Sequence, residues 1–320
     1  MVSLKDLAET VGVSKAAVSY ALSDNPEKQA KVSSVTRRRI LEAAKQLNYQ
    51  PNILGRGFSL CRSYNIALLL PLSCTASISG HYLGMFHGVS SGITASDYNL
   101  SVFFGCDEKF LSSVSGGRVD AAAIIARNHD EDDFQPFCNL ACPLVFLNRR
   151  TPELCKAGSC RSDYAGWIEA VIRNFMAKKV ASVNLYIRQE RSGDWEINEL
   201  FRKFCSESGI KGICRMREEF HPSQISPENG YIFCGSSPLI RQFLAANDQL
   251  NYVMLASADT TKDVKLPAEK LFYHDSEAIG RASVKLLLDM IEKPGFAAEI
   301  TIPLKQHRRN NPTTKSEPEF

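Results

Sequence analysis

The chain has 320 residues, 44% of them hydrophobic and 23% charged, enough for two globular domains and unlike a disordered or fibrous protein. Its longest apolar run, Ile66 to Leu72, is far short of the ~18 residues a membrane helix needs. Asp6 and Glu9 stand where a signal peptide requires apolar residues, so a cytoplasmic protein is expected. The net charge of +3 hides an asymmetry: residues 1–63 hold ten Lys/Arg against five Asp/Glu, net +5, which leaves −2 for the remainder. A basic head on a near-neutral body suggests a module for a polyanion joined to something else.

In the head, Leu4, Leu7, Ala8 and Val11 fall at i, i+3, i+4 and i+7 and predict a helix with one apolar face. Gly12 suits its left-handed end, and Ser14 suits the cap of a second helix. That second helix buries Val18, Ala21 and Leu22 and turns Lys15, Ala16, Ser19 and Tyr20 outward. Asp24-Asn25-Pro26 ends it. A polar connection follows, and then Ser33 caps a third helix with Ile40, Ala43, Ala44 and Leu47 inside. Two short helices across a tight glycine turn, braced by a third, predict a helix-turn-helix. A plain three-helix bundle fits the same spacing.

The residues are more specific than the spacing. Asp6-Leu7-Ala8, Gly12-Val13-Ser14, Val18-Ser19, Val32-Ser33, Thr36-Arg37, Leu47-Asn48-Tyr49 and Pro51-Asn52 stand in one register. In order and spacing the segment resembles the headpiece of the LacI/GalR family of bacterial transcription regulators. The resemblance implies that the second helix reads the DNA major groove. It also implies that a hinge helix after Pro51-Asn52 meets its twin in a dimer and wedges the minor groove. By position, Lys15, Ala16 and Tyr20 then face bases, while Leu4, Ser14, Ala17, Ser19, Ser23, Ser33, Thr36, Tyr49 and Asn52 follow the backbone. Gly55 lets paired hinges approach closely, and Phe58 replaces the family's wedge leucine. Tyr20 stands where most members carry Arg and Ala17 where most carry Thr, so the operator is expected to differ from the family consensus.

From Asn65 onward, apolar runs predict strands at Asn65–Leu70, Leu100–Phe104, Ala121–Ala126, Leu144–Leu147, Ser182–Ile187, Tyr231–Cys234 and Tyr252–Ala256. Helical patterns lie between them at Gly80–Ser96, Tyr164–Lys178, Glu196–Ser208, Pro238–Asn247 and Ser276–Glu292. The alternation predicts an α/β doubly wound body, two-lobed, behind the all-α helix-turn-helix headpiece. The expected division is 1–49 headpiece, 50–63 hinge and linker, 64–304 effector and dimerisation domain, and 305–320 tail. This part also resembles the same family, whose effector domain has the periplasmic-binding-protein fold, through Gly117-Arg118-Val119-Asp120, Asn148-Arg149, Asp163-Tyr164-Ala165-Gly166, Ala258-Asp259, Ile279-Gly280-Arg281-Ala282 and Ile302-Pro303-Leu304.

Ligands of such sheets sit beyond the strand C-termini. The resemblance places Arg149, Asp163 and Asp259 there. A carboxylate accepts two sugar hydroxyls, although Asp163 equally suits the cap of a following helix and Asp259 a turn. Tyr82 and Trp195 suit stacking on a sugar face or ordinary packing. Two family features are missing, the Arg before Gly-Phe at Glu196–Ser208 and the Asn-Asp replaced by Ser236-Ser237. The stretch from Ser192 to Leu266 is also short for the family.

Ten cysteines are scattered without a Cys-x-x-Cys pair and read as small buried hydrophobes. Cys138, Cys142, Cys155 and Cys160 match no common zinc spacing. His81 and His87 flank a helix start, and His129, His221, His274 and His307 read as isolated. Neither a catalytic grouping nor a phosphate loop appears, so no enzyme, metal or cofactor is expected. The expected function is a dimeric or tetrameric repressor of a near-palindromic operator, modulated by a sugar-like small molecule. The alternative is a DNA-binding regulator governed by a protein partner or lacking an effector.

Overall fold

A computed structural model of the chain describes residues 2–23, 25–50, 57, 60–76, 78, 80–125, 135–151, 155–188, 194–235, 237–256 and 266–306. Asn52, Gly55, Phe58 and Asp259 lie outside the described residues. The chain separates into two compact units, residues 1–63 and 64–320.

The first unit is helical: α1 (Leu4–Val11), α2 (Lys15–Ala21), α3 (Pro26–Gln29) and α4 (Ser34–Gln46). Ser3 and Asp6 close a capping box on α1, and Gly12 ends it in the left-handed region at φ 71°. Ser14 accepts from the Ala17 N–H to cap α2, and Ser33 accepts from the Thr36 N–H to cap α4. Helix α3 was expected to be a plain connection. Asn25 caps it and Pro26 occupies its first position, so four residues suffice for one turn. Leu7, Val18 and Ile40 are fully buried at the centre of this unit. Two of the three consecutive arginines serve the fold. Arg37 donates to the Ala21 carbonyl (3.3 Å) and Arg39 to the Val11 carbonyl (3.0 Å), each satisfying a helix end that has no partner of its own.

The second unit has two sheets. The first contains β1 (Asn65–Leu70), β2 (Asn99–Phe104), β3 (Ala121–Ile124), β4 (Leu144–Leu147), β5 (Gly158–Ser162) and β11 (Glu299–Ile302) in the order β11-β5-β4-β3-β1-β2, all parallel. The second contains β6 (Val183–Ile187), β7 (Gly212–Met216), β8 (Gly230–Cys234), β9 (Asn251–Leu255), β10 (Leu271–Tyr273) and β12 (Lys305–Gln306) in the order β12-β10-β9-β8-β6-β7. Only β12 runs antiparallel to its neighbour.

Helices α5 (Gly80–Thr94), α6 (Glu108–Ser115), α7 (Gln135–Cys138), α8 (Tyr164–Ala177), α9 (Trp195–Ser208), α10 (Pro238–Ala246) and α11 (Ser276–Glu292) connect the strands. Helices α5 and α11 share one core with β1, β3 and β4, whereas α8 and α9 share another with β6 and β8. The chain crosses between lobes three times: from β5 into α8 at Asp163, from β10 into α11 at His274-Asp275, and from β11 to β12 at Pro303-Leu304.

The β7–β8 connection is two single 3-10 turns, Arg217–Glu219 and Pro222–Gln224, and Phe220 between them packs edge-on against Tyr186 and Phe233.

The cysteines need one correction. Cys138 and Cys155 form a disulfide, so they are not simply small apolar side chains. Cys74, Cys160, Cys205 and Cys234 are buried free thiols, as read, and burial pushes Cys160 up to about 12. No described helix is long and apolar enough to cross a membrane, and no metal-binding cluster occurs among the described residues.

Candidate nucleic-acid interface and inter-lobe site

Helix α2 owes its orientation to its buried side. Val18 and Ala21 face the head core, which leaves Lys15, Ala16 and Ser19 exposed and Tyr20 half-buried on the opposite face. The ammonium of Lys31 lies 5.4 Å from the centre of the Tyr20 ring, so the turn after α3 brings a cation beside this face. Leu4 is exposed at the start of α1. The Ser14 and Ser33 hydroxyls are both occupied as caps, and Ser33 also donates to Thr36 Oγ1 at 2.9 Å. Ser23 accepts twice: at its carbonyl from Gln29 and at its hydroxyl from the Asn25 N–H. Tyr49 packs against the head core, and burial raises its hydroxyl pKa. Ala17 is half-buried, with its N–H given to the Ser14 cap. One rigid face therefore carries Lys15, Ala16, Ser19 and Tyr20.

The second site is a polar cluster at the lobe crossings, and its hydrogen bonds run in one direction. The Ser162 backbone N–H donates to Asn148 Oδ1 at 3.2 Å, which orients the Asn148 amide. Its Nδ2 end then donates to His81 Nε2 at 3.1 Å, so neutral His81 carries its proton on Nδ1 and gives it to Ser276 Oγ at 2.7 Å. The Ser162 hydroxyl spends its single hydrogen on Asn148 Oδ1 at 3.0 Å. His274 Nδ1 must therefore be the donor in the 2.8 Å contact to Ser162 Oγ. The two imidazole rings stand 4.8 Å apart, and Tyr164 meets His274 edge-on at 5.8 Å. Both rings are held neutral. Burial, and then the charge of Arg188, lower His81 to about 4. His274 lies well below its ordinary value through burial, His81 and Arg188 in that order. The Arg188 guanidinium is itself held by a two-pronged pairing with buried Asp194.

Beside this cluster, ion pairs link the two lobes. Arg161 on β5 and Arg150 after β4 both reach Glu196 on α9, Arg150 at 3.2 Å, and Arg161 also holds Glu299 on β11. Arg150 reaches Glu199 at 3.4 Å. Burial raises the Glu196 carboxyl, and Arg161 and Arg150 oppose that rise.

The described effector candidates flank these residues. Asp163 uses its carboxylate to accept from the Gly166 N–H and cap α8. Tyr82 is partly buried against the first lobe's core, with its ring 5.8 Å from His81. Trp195 is 53% exposed at the first residue of α9. Arg149 is half-buried immediately after Asn148. The histidines are the larger correction. His81 and His274, read as separate, share one half-buried contact although 193 positions divide them.

Residues 3–52 match the sequence family described as "Bacterial regulatory proteins, lacI family". That match covers the head alone. The "Probable HTH-type transcriptional repressor ExuR" of Bacillus subtilis (strain 168) is 30% identical over 172 residues, 53% of this chain and 50% of that protein. The "Sucrose operon repressor" of Klebsiella pneumoniae is 29% identical over 153 residues, 46% and 44% of the two chains. The chain thus spans about half the length of the curated relatives it matches. Among solved structures, the lac repressor dimer bound to operator and the anti-inducer ONPF aligns with a TM-score of 0.60 at 14% identity, covering 96% of this chain and 98% of that one. A transcriptional regulator CelR–cellobiose complex aligns with a TM-score of 0.53 at 16% identity over 97% and 99%. The chain shares their fold: helix-turn-helix helices followed by two parallel-dominated α/β lobes.

Proposed function

We infer that the protein is a DNA-binding transcriptional regulator, a repressor that docks as a dimer on a near-palindromic operator in the cytoplasm. It acts by binding, not by catalysis. The observation that carries this reading is the exposed α2 face, Lys15, Ala16, Ser19 and Tyr20, within the segment that matches the lacI family. A major groove admits one helix, and two-fold DNA requires a two-fold protein. In this reading Lys15, Ala16 and Tyr20 meet base edges. Leu4, Ser14, Ala17, Ser19, Ser23, Ser33, Thr36, Tyr49 and Asn52 run along the backbone, and Gly55 and Phe58 enter the minor groove when the hinge folds. Domain division at 49/50, 63/64 and 304/305 belongs to the same proposal.

Selection from random duplexes at fixed salt tests it. Lys15→Ala and Tyr20→Ala are expected to change the preferred sequence, by ~1–3 kcal/mol per lost base contact. Thr36→Ala is expected to weaken all sequences alike, because phosphate contacts carry no base information. Identical preferred sites for the wild type and both α2 variants would remove the assignment of reading residues.

For the body we infer a small-molecule site between the lobes, with Tyr82, Arg149, Asp163, Trp195 and Asp259 around it. The CelR neighbour's bound cellobiose and the glucose bound to a Weissella paramesenteroides CCPA support a sugar-like effector. One observation favours a second reading, regulation without a sugar. Asn148, Ser162, His81, His274 and Ser276 already satisfy one another, so a ligand there would have to replace existing hydrogen bonds.

A further inference from the structure

We propose that the lobe hinge is itself a proton-binding switch, in which protonation of the His81–His274 pair breaks the part-buried hydrogen-bond chain and opens the lobes. As an input to DNA binding it rests on the regulator reading above; as a property of the hinge it does not.

The chain runs through two of the three crossings. His274 lies between β10 and α11, and Ser162 is the last residue of β5 before the chain enters α8. The Asp163 N–H, one residue further, donates to the Ile302 carbonyl at 2.8 Å and ties in the third crossing. A rotation of one lobe on the other must pivot on these segments, so their hydrogen bonds set the resting position. His81 is the vulnerable member. Its Nε2 accepts from Asn148, and a proton placed there sets N–H against N–H in a part-buried site.

Among the described residues, none that faces the pair offers a proton an uncommitted acid. His81 faces Asn148 from the β4–β5 connection, Ser276 from α11, His274 from the β10–α11 crossing, and Tyr82 on its own helix. His274 faces Ser162 from β5 and Tyr164 from α8. The charges that act on the pair come from Arg188 at the end of β6, a cation already committed to Asp194. Asp275, the carboxylate next to His274, is engaged by Lys305 at 2.8 Å. Two imidazoliums 4.8 Å apart would repel each other.

The sign follows from the lowered values. A histidine held neutral in the closed form contributes fully to closure above its ordinary value of 6.5, and the contribution is lost as pH falls from there toward about 4. Each unit in that window shifts the closure equilibrium about tenfold per titrating histidine. At about pH 5 a single histidine therefore accounts for a shift of roughly 30-fold toward the open form.

Small-angle scattering of the full chain between about pH 7.5 and pH 5 reads opening directly, in a range where few other side chains titrate. The wild type is expected to expand reversibly over this window. The double variant His81→Gln/His274→Asn keeps a neutral donor and acceptor at each position and is expected not to expand. Equal expansion of the variant would overturn the proposal. Should the variant fail to fold, exchange at the histidine ring carbon of the wild type decides alone. His81 and His274 titrating at their ordinary value without expansion would end the proposal, and depressed titration accompanied by expansion supports it. Retention of a selected duplex over the same pH range separates the two readings. Expansion without DNA binding at any pH removes the regulator and leaves the hinge switch standing.

Discussion

Replacing Gly280 with alanine is expected to destabilise the second unit by about 3 kcal/mol or more, at the upper end of what overpacking usually costs. Helices α5 and α11 cross with their backbones in contact. A methyl group at 280 would meet the Met85 carbonyl, lie 2.7 Å from the Val89 nitrogen, and lie 2.9 Å from the Gly88 carbonyl carbon. These are all main-chain atoms, so no side chain can move aside. The helices must separate, and Met85, Val89, Ile279, Val284 and Leu287 lose packing along their length. Gly88→Ala is expected to cost a similar amount, because its added carbon would meet the Glu277 carbonyl. The double variant is expected to cost less than the sum of the two, since one separation makes room for both. Thermal melting checks this, with an expected fall of about 6–12 °C for each single variant. A Gly280→Ala protein melting with the wild type would show that the two helices do not touch.

Arg161→Met is expected to cost about 3 kcal/mol, because it removes one partner from a buried ion pair and leaves the other behind. Arg161 and Glu196 are each only 8% exposed, and Glu196 would retain Arg150 alone. Burial already raises the Glu196 carboxyl, and losing Arg161 raises it further. A raised carboxyl favours the folded state at low pH and disfavours it as pH rises through the folded value. The gap between variant and wild type is therefore expected to narrow as the buffer is acidified. Arg161→Met/Glu196→Leu is expected to recover most of the loss, since no charge is then left buried. Urea unfolding at neutral and mildly acidic pH measures both effects. A double variant as unstable as the single one would contradict this account.

The head was legible because each of its signals is local. Ser14 and Ser33 cap their helices through bonds to residues three positions on, and Gly12 takes the left-handed conformation in the next turn. The apolar strands were legible for the same reason. Val183–Ile187 and Leu144–Leu147 are buried along their full length, and an unbroken apolar run states that directly. Strand β5 was not found, because Gly158-Ser-Cys-Arg-Ser162 is just as buried yet polar. Ser162 bonds to Asn148 and Arg161 to Glu196 and Glu299, partners that lie 14, 35 and 138 positions away.

The inter-lobe site shows the same division at the scale of single residues. The effector candidates stand next to the members of the polar cluster: Tyr82 beside His81, Arg149 beside Asn148, Asp163 beside Ser162, and Trp195 between Asp194 and Glu196. The neighbourhood was indicated by the family resemblance, because β5, which ends beside Asp163, carries no apolar run. Which of two adjacent side chains turns inward could not be read from the chain, since that depends on the local backbone and on what lies opposite.

By itself the sequence determined the elements whose stabilisation comes from within a few residues, namely the capped helices of the head, the apolar strands and the outward face of α2. Only the tertiary structure decided the pairing of His81 with His274, the polarity of the hydrogen-bond chain between them, and the close crossing that requires Gly88 and Gly280. The physical reason is that a cap or an apolar face is stabilised by neighbours along the chain. A buried neutral histidine, or a glycine at a backbone contact, is stabilised by groups that only folding brings within reach.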